Sequence, residues 1–198
     1  MGTLAPRHFW LKGGMHLTVR TARLEDAPQI LDLSRGVIRE ERYSISTPEE
    51  FRLTEEEERA WIEKHLEDPD RLLLVAEAEG HVVGLLGLES GVRQRLRHRA
   101  TLHIGIARAW RGKGVGMALM GCALDWATAH PYIEKVSLGV LGDNARALAL
   151  YRRFGFQEEG RRPREVRRGP GEYVDDILMY RFVKELSAVG GQPSAPPG

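Results

Sequence analysis

A glycine-rich turn between a predicted strand and a predicted helix constrains this 198-residue chain more than any other feature. Residues 110–116 read WRGKGVG, with glycines at positions 112, 114 and 116. Glycine lets the backbone turn sharply and lets a ligand approach the main chain closely. The free N–H groups at the start of the following helix carry the positive end of its dipole. The turn therefore predicts an anion site, most naturally for phosphate.

The spacing of these glycines separates the turn from two common nucleotide-binding loops. It lacks the length and the terminal Ser or Thr of GxxxxGK[ST], and its glycines do not fit GxGxxG. Arg111 and Lys113 would add positive charge beside a bound phosphate. Taken alone, the turn is explained equally well as a tight connection without a ligand.

A second motif begins 28 residues after Gly116, following another predicted strand. Residues 144–156 read NARALALYRRFGF, and Asn144 and Tyr151 are seven positions apart. Seven residues make about two helical turns, so both side chains would lie on one helix face and could present an amide and a phenol to one ligand. Taken separately, Asn144 is more simply a helix cap and Tyr151 a core residue.

Together, the two motifs resemble the GNAT superfamily of acyl-CoA-dependent N-acyltransferases. The specific match runs from Leu102 to Phe156, and the order of elements is similar over residues 15–184. The resemblance implies an N-acetyltransferase that moves an acetyl group from acetyl-CoA to a primary amine, by direct transfer in a ternary complex and without a metal. It also implies one GNAT-like mixed α/β (α+β) domain, with a mostly antiparallel sheet that splays at the cofactor site and is flanked by helices.

The resemblance also implies roles for individual residues. The turn and the helix N-terminus would hold the coenzyme A diphosphate through backbone amides, residues 106–108 would pair with the pantetheine arm, and Asn144 would contact that arm. Tyr151 would act as general acid, because transfer from a thioester to an amine needs a proton for the departing sulfur. The expected cofactor-binding residues are Ile106, Ala107, Arg108, Arg111, Gly112, Lys113, Gly114, Val115, Gly116, Asn144, Ala147 and Tyr151.

The general base is the role that the resemblance leaves open. Many relatives carry a carboxylate on the strand before the turn, but residues 99–107, RATLHIGIA, contain none. His103 is the titratable side chain on this strand, and Glu89 ends the neighbouring strand. Three alternatives remain: His103 as base, Glu89 as base, or a water chain with no single base.

The acceptor side is expected between the first two helices and the last strands. Acidic side chains there would attract a cationic amine, although glutamates in a first helical turn also stabilise the helix dipole. The expected acceptor is a small primary amine, and a protein N-terminus or lysine is the runner-up. A non-catalytic CoA-binding regulatory module is the alternative from another class. The weak candidates for the acceptor site are Tyr43, Glu49, Glu50 and Asp176.

Hydrophobic periodicity predicts the element order β-α-α-β-β-β-α-β-α-β-β, with one strand–helix–strand crossover near residues 101–141. Thr54 followed by Glu57 is a capping-box signature that predicts the start of the second helix. Two arginine clusters, at 93–99 and 161–168, are expected in solvated loops.

Composition is that of an ordinary globular domain, with 42% hydrophobic and 29% charged residues and a formal net charge of +1. This balance does not favour a nucleic acid as partner. A single cysteine, Cys122, excludes a disulfide framework. We expect the domain at residues 15–186, with disordered segments at 1–14 and 187–198.

The expected location is the cytoplasm. No apolar run reaches the ~18 residues that span a bilayer, and the first residues lack a signal-peptide pattern. A homodimer is expected from the resemblance alone, because dimers are common in the family.

Overall fold

The computed structural model describes residues 2–40 and 42–184. Within these ranges the strands form one eight-stranded sheet in the order β1-β2-β3-β4-β5-β6-β8-β7. The elements are β1 (Arg7–Trp10), β2 (His16–Thr21), α1 (Ala27–Ile38), α2 (Glu55–Glu67), β3 (Arg71–Ala78), β4 (His81–Ser90), β5 (Arg99–Ile106), α3 (Val115–Ala129), β6 (Lys135–Leu141), α4 (Ala145–Arg153), β7 (Gln157–Gly169) and β8 (Glu172–Phe182).

The single parallel pairing of neighbouring strands among these residues joins β5 to β6, and α3 makes the connection. A parallel pair needs such a long crossover, whereas antiparallel strands can be joined by short turns. The other strand pairs are antiparallel. The predicted mixed α/β domain with one crossover is therefore confirmed.

Helices cover both faces of the sheet, and β3 shows why. Leu72 and Leu74 contribute to a large core that contains α3 residues, while Leu73 and Val75 contribute to a smaller core with α1 and α2. A strand buried on both faces has a continuous apolar run in place of alternation.

The predicted start of α2 is also confirmed. The Thr54 hydroxyl accepts a hydrogen bond from the Glu57 N–H at 3.2 Å, and the Glu57 carboxylate accepts one from the Thr54 N–H at 2.8 Å. This reciprocal capping box fixes where the helix begins.

Two sequence predictions differ from the structure. Within the segment 1–14, which was expected to be disordered, Arg7–Trp10 form β1 and pair with β2. Four residues are too few to show a period, so the sheet edge beside them decides their conformation. The arginines at 161–168 lie within β7, not in a loop, because β8 pairs along it through several register irregularities.

The predicted disordered tail, 187–198, lies outside the described residues. Of the helices within 2–40 and 42–184, none has the length and apolar character needed to cross a membrane.

Candidate active site

A wedge-shaped opening lies between β5 and β6. The two strands pair only from Arg99–Thr101 to Lys135–Ser137. Beyond this point β5 remains paired with β4, and β6 remains paired with β8. Residues 102–106 and 138–141 therefore border an opening within the sheet, which agrees with the expected splay.

The glycine-rich turn follows β5 and leads into α3. Gly112 has φ +76° and Gly114 has φ +111°, which are conformations that favour glycine. Gly116 has a different role, because a methyl group there would lie 3.0 Å from Leu150 Cδ2 and 3.1 Å from Ile106 Cδ1. These glycines let α3 begin close to β5 and α4. Gly114 has no side chain that could cap α3, so the first N–H groups of the helix are left for another acceptor.

The two basic side chains of the turn are engaged within the protein. Arg111 makes a bidentate ion pair with Glu40, with N–O distances of 2.6 and 2.7 Å, and its Nε donates to the Ile106 carbonyl at 2.8 Å. The Lys113 ammonium lies 5.0 Å from the centre of the Trp110 ring. Arg111 was expected to offer a free positive charge beside a bound phosphate. In the structure, the Glu40 carboxylate holds its guanidinium in a bidentate pair instead.

Other predicted cofactor residues lie at the end of β5. The Ala107 N–H donates to the Val83 carbonyl at 3.0 Å, which extends the pairing with β4 by one residue. Arg108 is exposed. Val115, the first residue of α3, is buried.

Asn144 and Tyr151 lie on α4, as predicted. The Asn144 side-chain oxygen accepts a hydrogen bond from the Ala147 N–H at 3.2 Å and so caps the helix. Tyr151 is 6% exposed and packs against Phe156, with ring centres 6.0 Å apart. Burial raises the pKa of Tyr151 to about 12. The phenol is therefore neutral and able to donate a hydrogen bond at any physiological pH.

Three predicted polar residues share the sheet face opposite the α3 core. Val136 and Leu138 face that core, so their neighbours on β6 face the other side. On this other side Asp176 covers Gly139, where a methyl group would lie 3.0 Å from its Oδ1. His103, one strand away, lies on the same face by the register of β5 with β6. Glu89 joins them because it pairs with Thr101, two residues from His103.

The two candidate bases have different surroundings. The His103 imidazole packs over Gly87, and part of the residue is exposed to solvent. Partial loss of hydration lowers the pKa of His103, and the negative charge of Glu89 acts in the opposite direction. Glu89 lies 3.5 Å from Arg71 Nη1 through Oε2 and 3.3 Å from His65 Nε2 through Oε1.

Sequence reasoning missed His65. It is completely buried on α2, and its ring centre lies 4.4 Å from that of Trp61, one helical turn earlier. The spacing of Trp61 and His65 placed both on one helix face. Only the packing of α2 on the sheet brings His65 to Glu89.

Three weaker acceptor candidates have local contacts in the α1–α2 connection. Arg42 lies over the exposed Tyr43 ring at 5.5 Å. The Glu50 carboxylate accepts from the Thr47 N–H at 2.9 Å and closes a turn. Glu49 is exposed. Only Asp176 of the four candidates is shown beside the opening.

Cys122 is buried in α3, and burial raises the pKa of its thiol. Both observations disfavour the thiolate that a covalent acyl intermediate would need.

Comparison with known proteins decides the family. Residues 38–156 match the family described as acetyltransferase (GNAT) family, and this match covers more than half of the chain. The chain belongs to the GNAT family. It is an acyltransferase, and the resemblance in the two motifs is confirmed.

Two curated relatives and one solved structure illustrate which members of the GNAT family are similar to this chain. The chain is 34% identical over 121 residues to the L-amino acid N-acetyltransferase AaaT of Escherichia coli, covering 61% of this chain and 74% of the relative. It is 34% identical over 119 residues to the spermidine N(1)-acetyltransferase of Vibrio cholerae, covering 59% and 66%. The fold is similar to that of yncA from Salmonella typhimurium, a structure described with its cofactor acetyl-CoA, with a TM-score of 0.76, 20% identity, and coverage of 89% and 99%.

Proposed function

We propose that this GNAT enzyme transfers an acetyl group from acetyl-CoA to the primary amine of an amino-acid-like small molecule. Transfer is direct, with both substrates bound at once. The observation that carries the proposal is the opening between β5 and β6. The glycine-rich turn lies at one end of this opening, and the polar side chains of His103, Glu89 and Asp176 lie on the sheet face opposite the α3 core.

Acetyl-CoA fits the opening in two ways. The start of α3 offers backbone N–H groups and the positive end of the helix dipole to the diphosphate. Beyond Thr101, β5 has lost its partner strand on one side. The amide-bearing pantetheine arm can pair with this free edge as an added strand would.

Tyr151 is the proposed general acid. Its pKa of about 12 keeps the phenol protonated. The same burial makes a tyrosinate costly and therefore short-lived. The phenol proton passes to the sulfur as the C–S bond breaks, and a proton from solvent restores the phenol at once.

The charges around Asp176 favour a zwitterionic acceptor. Arg162 pairs with Asp176 across β7 and β8, with Nη1 3.5 Å from Oδ2. A carboxylate and a guanidinium side by side can receive the ammonium and the carboxylate of an amino acid. The relative AaaT is named for L-amino acids. The spermidine relative makes a polyamine the second candidate, for which acidic residues alone would suffice.

The test is thiol release from acetyl-CoA with three classes of acceptor: L-amino acids, spermidine, and peptides with free N-termini. We expect amino acids to give the highest kcat/KM. We expect Arg162→Gln to raise the KM for amino acids about tenfold, the cost of one charge-assisted contact, and to leave that for spermidine nearly unchanged.

Arg161→Gln is the matched control, because Arg161 contacts Glu158 and Asp175 instead of Asp176. A preference for spermidine would replace the amino-acid proposal with the polyamine one. Turnover on peptides alone would indicate a protein acceptor. Failure to bind acetyl-CoA would overturn the proposed site.

A further inference from the structure

His65 is a buried side chain with an unexplained polar atom. Its Nδ1 lies 2.8 Å from the Trp61 carbonyl oxygen. Among residues 2–40 and 42–184, its Nε2 is the one buried side-chain polar atom without a hydrogen-bond partner. Such an atom costs about 1–3 kcal/mol, so its position calls for a reason.

The contact with Trp61 fixes which ring nitrogen carries the proton in the neutral imidazole. A carbonyl oxygen only accepts, so Nδ1 is the donor and Nε2 keeps a lone pair. This lone pair lies 3.3 Å from Glu89 Oε1, which is also an acceptor when ionised. Two acceptors at this distance attract each other only when a proton lies between them.

We propose that His65 is a positioning residue for Glu89, and that the two side chains together hold the proton taken from the acceptor ammonium. This inference rests on the proposed function. In the step, an ammonium N–H bond breaks and a Glu89 O–H bond forms. The electron pair stays on nitrogen and becomes the nucleophile, and the proton is then shared with His65 Nε2 until it passes to solvent.

The geometry allows this sharing at little cost. The two atoms are within ion-pair distance, although their alignment falls short of a hydrogen bond. The Glu89 side chain is 35% exposed. Rotation about the last torsion of a glutamate is soft, so the carboxylate can turn into line with the fully buried ring.

The charged groups around the pair come from three strands. Glu89 projects from β4. Arg71 of β3 lies 3.5 Å from Glu89 Oε2 and is itself held by Asp68 at 3.0 Å. His103 of β5 interacts electrostatically with both members of the pair. Arg71 faces one carboxylate oxygen of Glu89, and His65 Nε2 faces the other.

The test is the pH dependence of acetyl transfer in His65→Gln, measured with the best acceptor of the wild-type enzyme. Without the imidazole, Glu89 keeps Arg71 and His103 as charged neighbours and loses the nitrogen that would share its proton. We expect the acidic limb of kcat/KM to move to lower pH, the plateau to fall about tenfold, and the KM for acetyl-CoA to stay within about twofold.

His130→Gln is the matched control. His130 is also buried, and its Nε2 also lies 3.3 Å from a carboxylate oxygen, that of Asp70. It lies at the end of α3, away from the opening, so its loss should change stability without moving the pH profile. An unchanged profile in His65→Gln would overturn the inference.

A measurement on the wild-type protein keeps the inference testable if the variant does not fold. Imidazole nitrogen resonances should show a proton on His65 Nδ1 at high pH, and Nε2 gaining one at a pH that shifts in Glu89→Gln. A neutral ring protonated on Nε2 would overturn it. Failure of the proposed function is distinguished separately, as absence of turnover by the wild-type enzyme with every acceptor class.

Discussion

Burial sets both what Tyr151 can do as the proposed general acid and what it cannot do. Burial beside Phe156 raises its pKa to about 12, so the phenol is a permanent hydrogen-bond donor. The same burial opposes full ionisation. In the proposed role, the phenol stabilises the departing sulfur in the transition state and contributes little to ground-state binding.

We therefore expect Tyr151→Phe to lower kcat by about 10²–10⁴-fold, with little change in acetyl-CoA affinity. Steady-state kinetics and calorimetry with acetyl-CoA measure the two quantities. Tyr180→Phe is the control, because Tyr180 is half-buried on β8 and its hydroxyl has one hydrogen-bond partner among described residues, Gln157 at 3.5 Å. Equal activity of Tyr151→Phe and wild type would refute the acid role.

At the scale of elements, α3 and the turn before it form one unit. The positive φ values of Gly112 and Gly114 aim the start of α3, and Gly116 lets the helix pack against Ile106 and Leu150. The geometry proposed to bind an anion is thus a property of backbone conformation, whereas Arg111 is held by Glu40.

Gly114→Ala tests this dependence on conformation. At φ +111° an alanine is strained, and we expect the free energy of unfolding to fall by about 1–3 kcal/mol. Acetyl-CoA affinity should fall as well, because the N–H groups are displaced. Gly121→Ala, within α3 and with no atom within 4 Å of the added methyl group, should instead stabilise by up to about 1 kcal/mol. Urea denaturation and calorimetry compare the two; unchanged affinity in Gly114→Ala would separate the turn from cofactor binding.

At the scale of the whole molecule, a buried ion pair ties the start of α1 to the sheet. Arg20 on β2 donates to both oxygens of Asp26 at 2.7 and 2.8 Å, with side chains only 10% and 4% exposed. Glu77 on β3 completes the cluster, with an oxygen 2.8 Å from the guanidinium. These carboxylates hold the pKa of Arg20 above its usual range.

Asp26→Ala would leave a buried guanidinium with Glu77 as its carboxylate partner and the Thr21 carbonyl as a further acceptor. Removal of one partner of such a pair costs about 3–5 kcal/mol. The variant should show that loss in urea denaturation at pH 7. The exposed pair Asp32–Arg35 provides the control, because Asp32→Ala should change stability by less than about 1 kcal/mol. Comparable losses in both variants would mean that burial of Arg20 does not set the cost.

Local features of the sequence predicted much of this protein. The glycine torsions, the capping box at Thr54 and the periodicity of each helix depend on residues near one another in the chain. They predicted the element order, the glycine-rich turn and the two motifs that resemble the GNAT family. β1 and the full length of β7 were missed, because pairing with a neighbouring strand, and not local pattern, makes them strands.

Local sequence patterns were sufficient for the fold class, the glycine-rich turn and the position of Tyr151 on a helix after β6. Tertiary structure alone decided which charged groups meet. Glu40 reaches Arg111 across 71 residues, and Glu89 lies between His65 and Arg71 only because α2 packs on β3 and β4. Strand register and helix packing set these distances. A local sequence pattern specifies each element, but it does not fix the positions of the strands and helices that pack against that element.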